Sequence, residues 1–195
     1  MKRIWMLLVC VCLLVGCSSS RIEKSRLEVL GGSIDGNRYI NSYFNIIADL
    51  DESWQVESED DLNSKKEFTK NGSAIVVFYA HRDHGLQSAN VLIEDINYNS
   101  DEEALIDLVA GSIRSNFEKQ GMKNVSQDVE RVDYVGKEAI CIRTTAFLTT
   151  NRSKEVPVFS KQYILEKNRY VAIIHLCSLQ EDHLEEMSSY FYHLD

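Results

Sequence analysis

Apolar and polar residues recur along the chain in blocks whose spacing predicts most of its elements. Tyr39 to Ala48 carries aromatic and β-branched residues and reads as a strand, followed by a turn at Asp51-Glu52-Ser53 and then Trp54. Residues 57 to 66 are polar and acidic and suit a short surface helix or a loop. Asn71-Gly72 tolerates positive φ at both positions, which predicts a tight hairpin turn between strands at 67–70 and 73–80. Within the second of these, Ala74-Ile75-Val76-Val77-Phe78-Tyr79 is apolar on both faces, so it is expected at the centre of a sheet covered on both sides. Ser100-Asp101-Glu102-Glu103 has the form of a capping box, and Leu105, Leu108, Val109, Ser112, Ile113 and Phe117 then recur at helical spacing until Gly121. Ser178-Leu179-Gln180-Glu181 repeats that capping pattern ahead of Leu184, Met187, Phe191 and Leu194, which predicts a C-terminal helix.

Between the two helices, strands at 139–150, 156–166 and 169–177 form an expected meander. The turns at Asn151 to Lys154 and Lys167-Asn168 set registers that place Cys177 beside Val158 and Cys141 beside Ile164. One face then carries Ile140, Ile142, Ala146, Phe159, Tyr163, Leu165, Tyr170, Ala172, Ile174 and Leu176. The other carries Cys141, Val158, Ile164, Val171, Ile173 and Cys177. Both faces are apolar, so the expected class is α+β: an antiparallel sheet flanked by helices in a three-layer α/β/α sandwich. In this register Cys141 and Cys177 lie roughly 20 Å apart at ~3.4 Å per residue. A disulfide needs Cα atoms within about 7 Å, so both are expected to be free, buried thiols.

The N-terminus has a different composition. Lys2 and Arg3 precede a twelve-residue apolar run from Ile4 to Val15, too short for the ~20 residues of a membrane-spanning helix and suited to a signal peptide. Leu14-Val15-Gly16-Cys17, followed by Ser18-Ser19-Ser20, resembles the lipobox of bacterial lipoproteins. That resemblance implies removal of residues 1–16 and acylation of Cys17, with palmitate among the expected acyl groups. The chain would then be held by lipid at the bacterial cell membrane, facing the extracytoplasmic side. Residues 17–35 are rich in Ser and Gly and are expected to form the lipidated tether, with a single domain at 36–195.

Charge bears on partners. The chain has 21 basic and 30 acidic residues, and loss of Lys2 and Arg3 leaves 19 against 30, a formal −11. This excludes a general phosphate-binding face of the kind that nucleic acid requires, and anionic headgroups repel such a chain overall. It leaves cations, basic peptides and other proteins as partners.

Candidate chemistry is sparse. His81-Arg82-Asp83-His84 is the densest group of metal-capable side chains, and His81, Asp83 and His84 could offer imidazole and carboxylate ligands. Three ligands within four residues seldom converge unaided, Arg82 repels a cation, and a solvated polar loop is the simpler reading. His175 lies two positions from Cys177 in an apolar strand, where a thiol stays protonated. No Gly-x-Ser-x-Gly elbow or phosphate-cradling loop occurs, so neither a catalytic residue nor a cofactor is expected. The acidic run Glu57, Glu59, Asp60 and Asp61 reads as a solvated face.

Gly36-Asn37-Arg38-Tyr39-Ile40-Asn41-Ser42-Tyr43-Phe44-Asn45, leading to Asp51-Glu52-Ser53-Trp54, resembles small lipoproteins of the PsbP-like class, which shares its fold with a nuclear-import factor. Members commonly carry Pro-x-Gly-Trp where this chain has Asp-Glu-Ser-Trp. The resemblance implies a non-enzymatic accessory or binding role with an unidentified protein or peptide partner. Two alternatives differ in class: a protective lipoprotein that captures cationic peptides or toxins, and a metal-binding protein or enzyme built on His81, Asp83 and His84.

Overall fold

The computed structural model describes residues 30–58, 61–62, 74–95, 102–149 and 154–194. The chain enters through three short strands, β1 (Ser33–Asp35), β2 (Arg38–Asn41) and β3 (Ile46–Asp49). The expected strand from Tyr39 to Ala48 is therefore two strands, broken by a turn in which Asn45 has φ 57°. Asn41 causes the break: its carboxamide accepts from Phe44 N at 2.9 Å and donates to Leu30 O at 2.7 Å, which satisfies a fully buried amide. Leu30 is itself in the core, and β1, which precedes Gly36, pairs with β2.

Among the described residues, the main sheet has seven strands. β4 (Gln55–Val56), β5 (Ala74–Arg82) and β6 (Gln87–Asp95) come first, and α1 (Glu102–Lys119) carries the chain across. β7 (Met122–Tyr134), β8 (Lys137–Thr149), β9 (Glu155–Lys167) and β10 (Tyr170–Leu179) then form a meander that brings β10 back beside β6. The order β4-β5-β6-β10-β9-β8-β7 is antiparallel throughout. The apolar segment at 74–79 thus lies next to the short edge strand β4 and not at the centre. β10, buried at every position, and its neighbour β6 occupy the interior. The hairpin expected at Asn71-Gly72, the cap at Ser100-Asp101 and the residues near Cys17 lie outside the described residues.

The register of β8 corrects the sequence reading. Cys141 pairs with Tyr163, one residue away from the expected Ile164, and Cys177 pairs with Ser160 in place of Val158. Side chains alternate with period two, so the one-residue slip exchanges the faces of β8 while the two-residue slip leaves those of β10 unchanged. Cys141 consequently faces the same side as Tyr163, Leu165 and Ile174. Ile140, Ile142 and Ala146 join Ile164, Val171 and Cys177 on the other. The two buried, free cysteines lie on opposite faces of the sheet.

One face is covered by α1 through Val109, Ile113 and Phe117, whose periodicity was legible in the sequence. Leu108, expected in that stripe, is 45% exposed. The opposite face is covered differently from the expected helical layer. The predicted C-terminal helix is only α2 (Leu184–Ser189), and the chain continues as β11 (Phe191–His193), paired with β3 to complete a four-stranded sheet in the order β1-β2-β3-β11. Phe191-Tyr192-His193 suits a strand as well as a helix by residue type, and pairing with β3 decides between them. The expected cap does not form: Ser178 remains in β10, the N-cap position of α2 is His183 without a side-chain capping bond, and Asp182 Oδ1 accepts from Leu184 N at 3.1 Å. Tyr39 stacks on Phe78 at 5.0 Å, Phe191 meets Phe78 at 6.4 Å, and Leu184 and Met187 are fully buried in the same core.

Two glycines should respond oppositely to alanine. Gly32 has φ +73°, and an added Cβ would lie 2.4 Å from Ile40 O, so Gly32→Ala should destabilise the fold by about 1–3 kcal/mol. Gly111 lies in α1 with open space around it, so Gly111→Ala should stabilise by about 0.8–1 kcal/mol. Urea midpoints at constant m-value measure both.

Candidate functional site

The metal-capable group of the sequence straddles a strand end. His81 and Arg82 close β5, His81 being buried, whereas Asp83 and His84 are exposed in a short 3₁₀ turn with φ 51° and 56°. Asp83 accepts from Gln87 Nε2 at 3.2 Å. Among the described residues, no three His, Cys, Asp or Glu side chains are grouped to hold a metal ion.

Arg82 organises this region. Its guanidinium lies 4.9 Å above the Trp54 ring, and it donates through Nε to Gln87 Oε1 at 2.5 Å and through Nη2 to Glu186 Oε1 at 2.8 Å. Tyr190 meets Trp54 edge-on at 6.0 Å and donates to Asp51 Oδ2 at 2.5 Å. Hydrogen bonds from Ser53, then Tyr190, hold the Asp51 carboxyl down to about 2. These contacts tie the β3–β4 loop to the end of β5 and to α2, so Trp54 serves as the wall on which a partly buried arginine rests.

Sequence reasoning missed Arg143 and Lys161, directly paired across β8 and β9. Glu185 of α2 accepts from Lys161 at 2.9 Å and from Arg143 at 3.1 Å, and Arg143 also bonds Asp182. Beside them Tyr134 and Tyr163 stack at 3.5 Å, and each hydroxyl lies 3.0 Å from an oxygen of Ser188. Asp182, Glu185 and Glu186 thus anchor this short helix to cations on the sheet. The usable signal was two basic residues, each interrupting an otherwise apolar strand.

The face under α1 holds a third cluster. His175 Nε2 lies 3.0 Å from Ser160 Oγ, and its Nδ1 lies 3.3 Å from Asn90 Nδ2. The arrangement has the order of an activated serine, but Ser160 is fully buried and Asn90 and His175 nearly so. Burial lowers His175 to about 4, so the imidazole is a weak base, and on the opposite face burial pushes the Cys141 thiol up to about 11, so that thiol is protonated at neutral pH. Chemically, this cluster satisfies polar groups within the sheet.

At the end of the sheet where the β9–β10 hairpin turns, Lys137 Nζ donates to Phe44 O at 2.9 Å and Lys167 Nζ to Tyr43 O at 2.5 Å. Lys167 also lies 4.9 Å above the Tyr43 ring. Arg169 forks onto both oxygens of the buried Asp95 at 2.8 and 2.5 Å.

No family model matches the chain, and no curated protein matches it in sequence. Among solved structures, cyanobacterial PsbP (CyanoP) from Synechocystis sp. PCC 6803 matches with a TM-score of 0.50 and 14% identity, over 83% of this chain and 98% of that one. The fold is PsbP-like. LpqN of Mycobacterium tuberculosis, described as involved in cell envelope biogenesis, matches with a TM-score of 0.38 and 12% identity, over 74% of this chain and 76% of its own. Within this PsbP-like fold, Trp54 keeps a packed place against Arg82 although Asp-Glu-Ser precedes it.

His175 gives the fold a calculable acid sensitivity. Its native pKa of about 4 lies below the ordinary 6.5, so between these values the unfolded chain binds a proton that the native chain does not. Stability from this group is full above pH 6.5 and falls by about 3 kcal/mol as pH drops to 4. Denaturant titrations of wild type and His175→Gln across this range isolate the loss: the variant should lack it, whereas parallel curves would remove His175 as the cause.

Proposed function

We propose that the protein is a lipid-anchored accessory component of the bacterial cell envelope. Its PsbP-like domain binds a protein or peptide outside the cytoplasm and performs no catalysis. The observation that carries this reading is Leu14-Val15-Gly16-Cys17 at the end of a twelve-residue apolar run with Lys2 and Arg3 before it. Acylation of Cys17 with two or more chains anchors firmly, since each buried methylene contributes about 0.8 kcal/mol. Among the described residues no helix is long and apolar enough to cross a membrane, a statement that does not bear on β-barrels.

The polar clusters support a binding role. Arg82, Arg143 and Lys161 are committed to carboxylates that fasten α2, and the Ser160–His175 contact is sealed in the core. Contacts with a partner therefore fall to the surface around them.

Cells fed labelled palmitate should incorporate it into the wild-type protein, and mass spectrometry should find Cys17 as the acylated first residue. Cys17→Ala should incorporate none and should retain residues 1–16. Label on that variant, or a mature N-terminus elsewhere, would sink the anchor. Crosslinking of the lipidated protein in intact cells tests the binding role: recovery of a defined protein supports it. Recovery of basic peptides alone, released by high salt, would assign the domain to peptide capture.

A further inference from the structure

We propose that the corner built from Lys137, Lys167 and Tyr43 faces the membrane and receives the phosphate groups of anionic lipid headgroups. This rests on the anchor at Cys17. Four contacts locate it. Leu30, where the described chain begins, accepts from the Asn41 carboxamide at 2.7 Å, and that carboxamide accepts from Phe44 N at 2.9 Å. Phe44 O accepts from Lys137 at 2.9 Å, and the adjacent Tyr43 O accepts from Lys167 at 2.5 Å. The chain coming from Cys17 therefore reaches the domain beside this lysine pair.

The reach of the tether favours this end. Twelve residues separate Cys17 from Leu30, a span of at most about 45 Å when fully extended. β9 has 13 residues and is roughly 44 Å long, so the opposite end could face the bilayer only if the tether ran the length of the domain almost fully stretched. The near end needs no extension.

The chemistry fits phosphate. Each ammonium carries three donors and, among the described residues, spends one on a turn carbonyl, which leaves two on each lysine for phosphate oxygens. Burial and the charge of Lys167 both act against protonation of Lys137, and an anion placed between the two cations relieves that repulsion. Tyr43 stands edge-on to Tyr170 at 6.1 Å and supplies the amphipathic ring favoured at headgroup depth. Arg169, whose side chain is 44% exposed, is paired with Asp95 and adds hydrogen-bond donors here without net charge. Asp133, Glu138 and Glu166 lie in the same turns, so the attraction is local to the two ammoniums and is not a property of the whole end.

Lysine protection on vesicles tests the orientation. The lipidated protein is reconstituted on vesicles of phosphatidylcholine, alone or with about 30% phosphatidylglycerol, and treated with a membrane-impermeant acylating reagent. Attraction of about 1 kcal/mol per lysine corresponds to a roughly fivefold fall in acylation of Lys137 and Lys167 on the anionic vesicles, reversed by high salt. Lys119, Lys123 and Lys154, exposed at the other end, should be acylated equally on both. Protein that floats with both vesicles but shows no difference, or equal protection of all five lysines, would overturn the orientation and leave the anchor standing. Failure to float on either would overturn the anchor and this corner with it. Protection by inorganic phosphate on phosphatidylcholine alone would assign the corner to free phosphate and overturn the lipid contact.

Discussion

The constraint on which this domain depends is the burial of β10 and β6 along their whole length. An antiparallel strand with one solvated face alternates between apolar and polar residues, but every residue of these two strands is shielded from water. The sheet is therefore stable only when both faces are covered. α1 supplies one cover with Val109, Ile113 and Phe117. The other comes from two distant parts of the chain, since the strands that begin the domain and the strand that ends it pair into one small sheet. Phe78 meets this layer through Tyr39 from near the start and Phe191 from near the end. Docking of the C-terminal segment thus completes the core as well as the small sheet.

Because that cover includes a helix of only six residues, it needs directional contacts beyond apolar area. Isolated helices of this length are not stable in water. Arg82, Arg143 and Lys161 reach it from three strands of the large sheet, each bonded to a carboxylate in or just before α2. Exposed ion pairs contribute little individually. Here Arg82 rests on the Trp54 ring and Lys161 lies 5.2 Å from the Tyr163 ring, so both cations are partly desolvated by aromatic surfaces that hold their geometry.

The parts of the fold legible in sequence are those governed by local periodicity. Val109, Ile113 and Phe117 announced the buried side of α1, and alternation along β9 and β10 assigned their faces correctly. Registers depend on loop length and irregularities that periodicity does not encode, so a single-residue error exchanged the faces of β8. The C-terminal region failed for a different reason. Leu184, Met187, Phe191 and Leu194 fit a helical stripe, but β3 offers Phe191 a paired strand, a non-local interaction across more than a hundred residues. The polar clusters were illegible for the same reason: Arg82 and Trp54 became partners only when the β3–β4 loop folded against β5, and Lys137 met Phe44 O from 93 residues away.

Edges and ends divide the surface of such a sheet. Among the described residues, β7 leaves one side of a 13-residue strand without a neighbour in the sheet, a template for strand addition. A register shift between Lys123 and Ser126, with Asn124 at φ 54°, distorts its beginning, and Asp128, Glu130, Arg131 and Asp133 place exposed charges along the remainder. A strand added there would have to match that pattern of signs or desolvate unmatched charges. Both ends mix signs: Lys119, Lys123 and Lys154 share one end with the carboxylates that follow β10, and Lys137, Lys167 and Arg169 share the other with Asp95, Asp133, Glu138 and Glu166. What distinguishes the ends is what their cations bond: Arg143 and Lys161 reach carboxylates of the α2 segment, whereas Lys137 and Lys167 donate to the carbonyls of Phe44 and Tyr43 near the point where the chain enters.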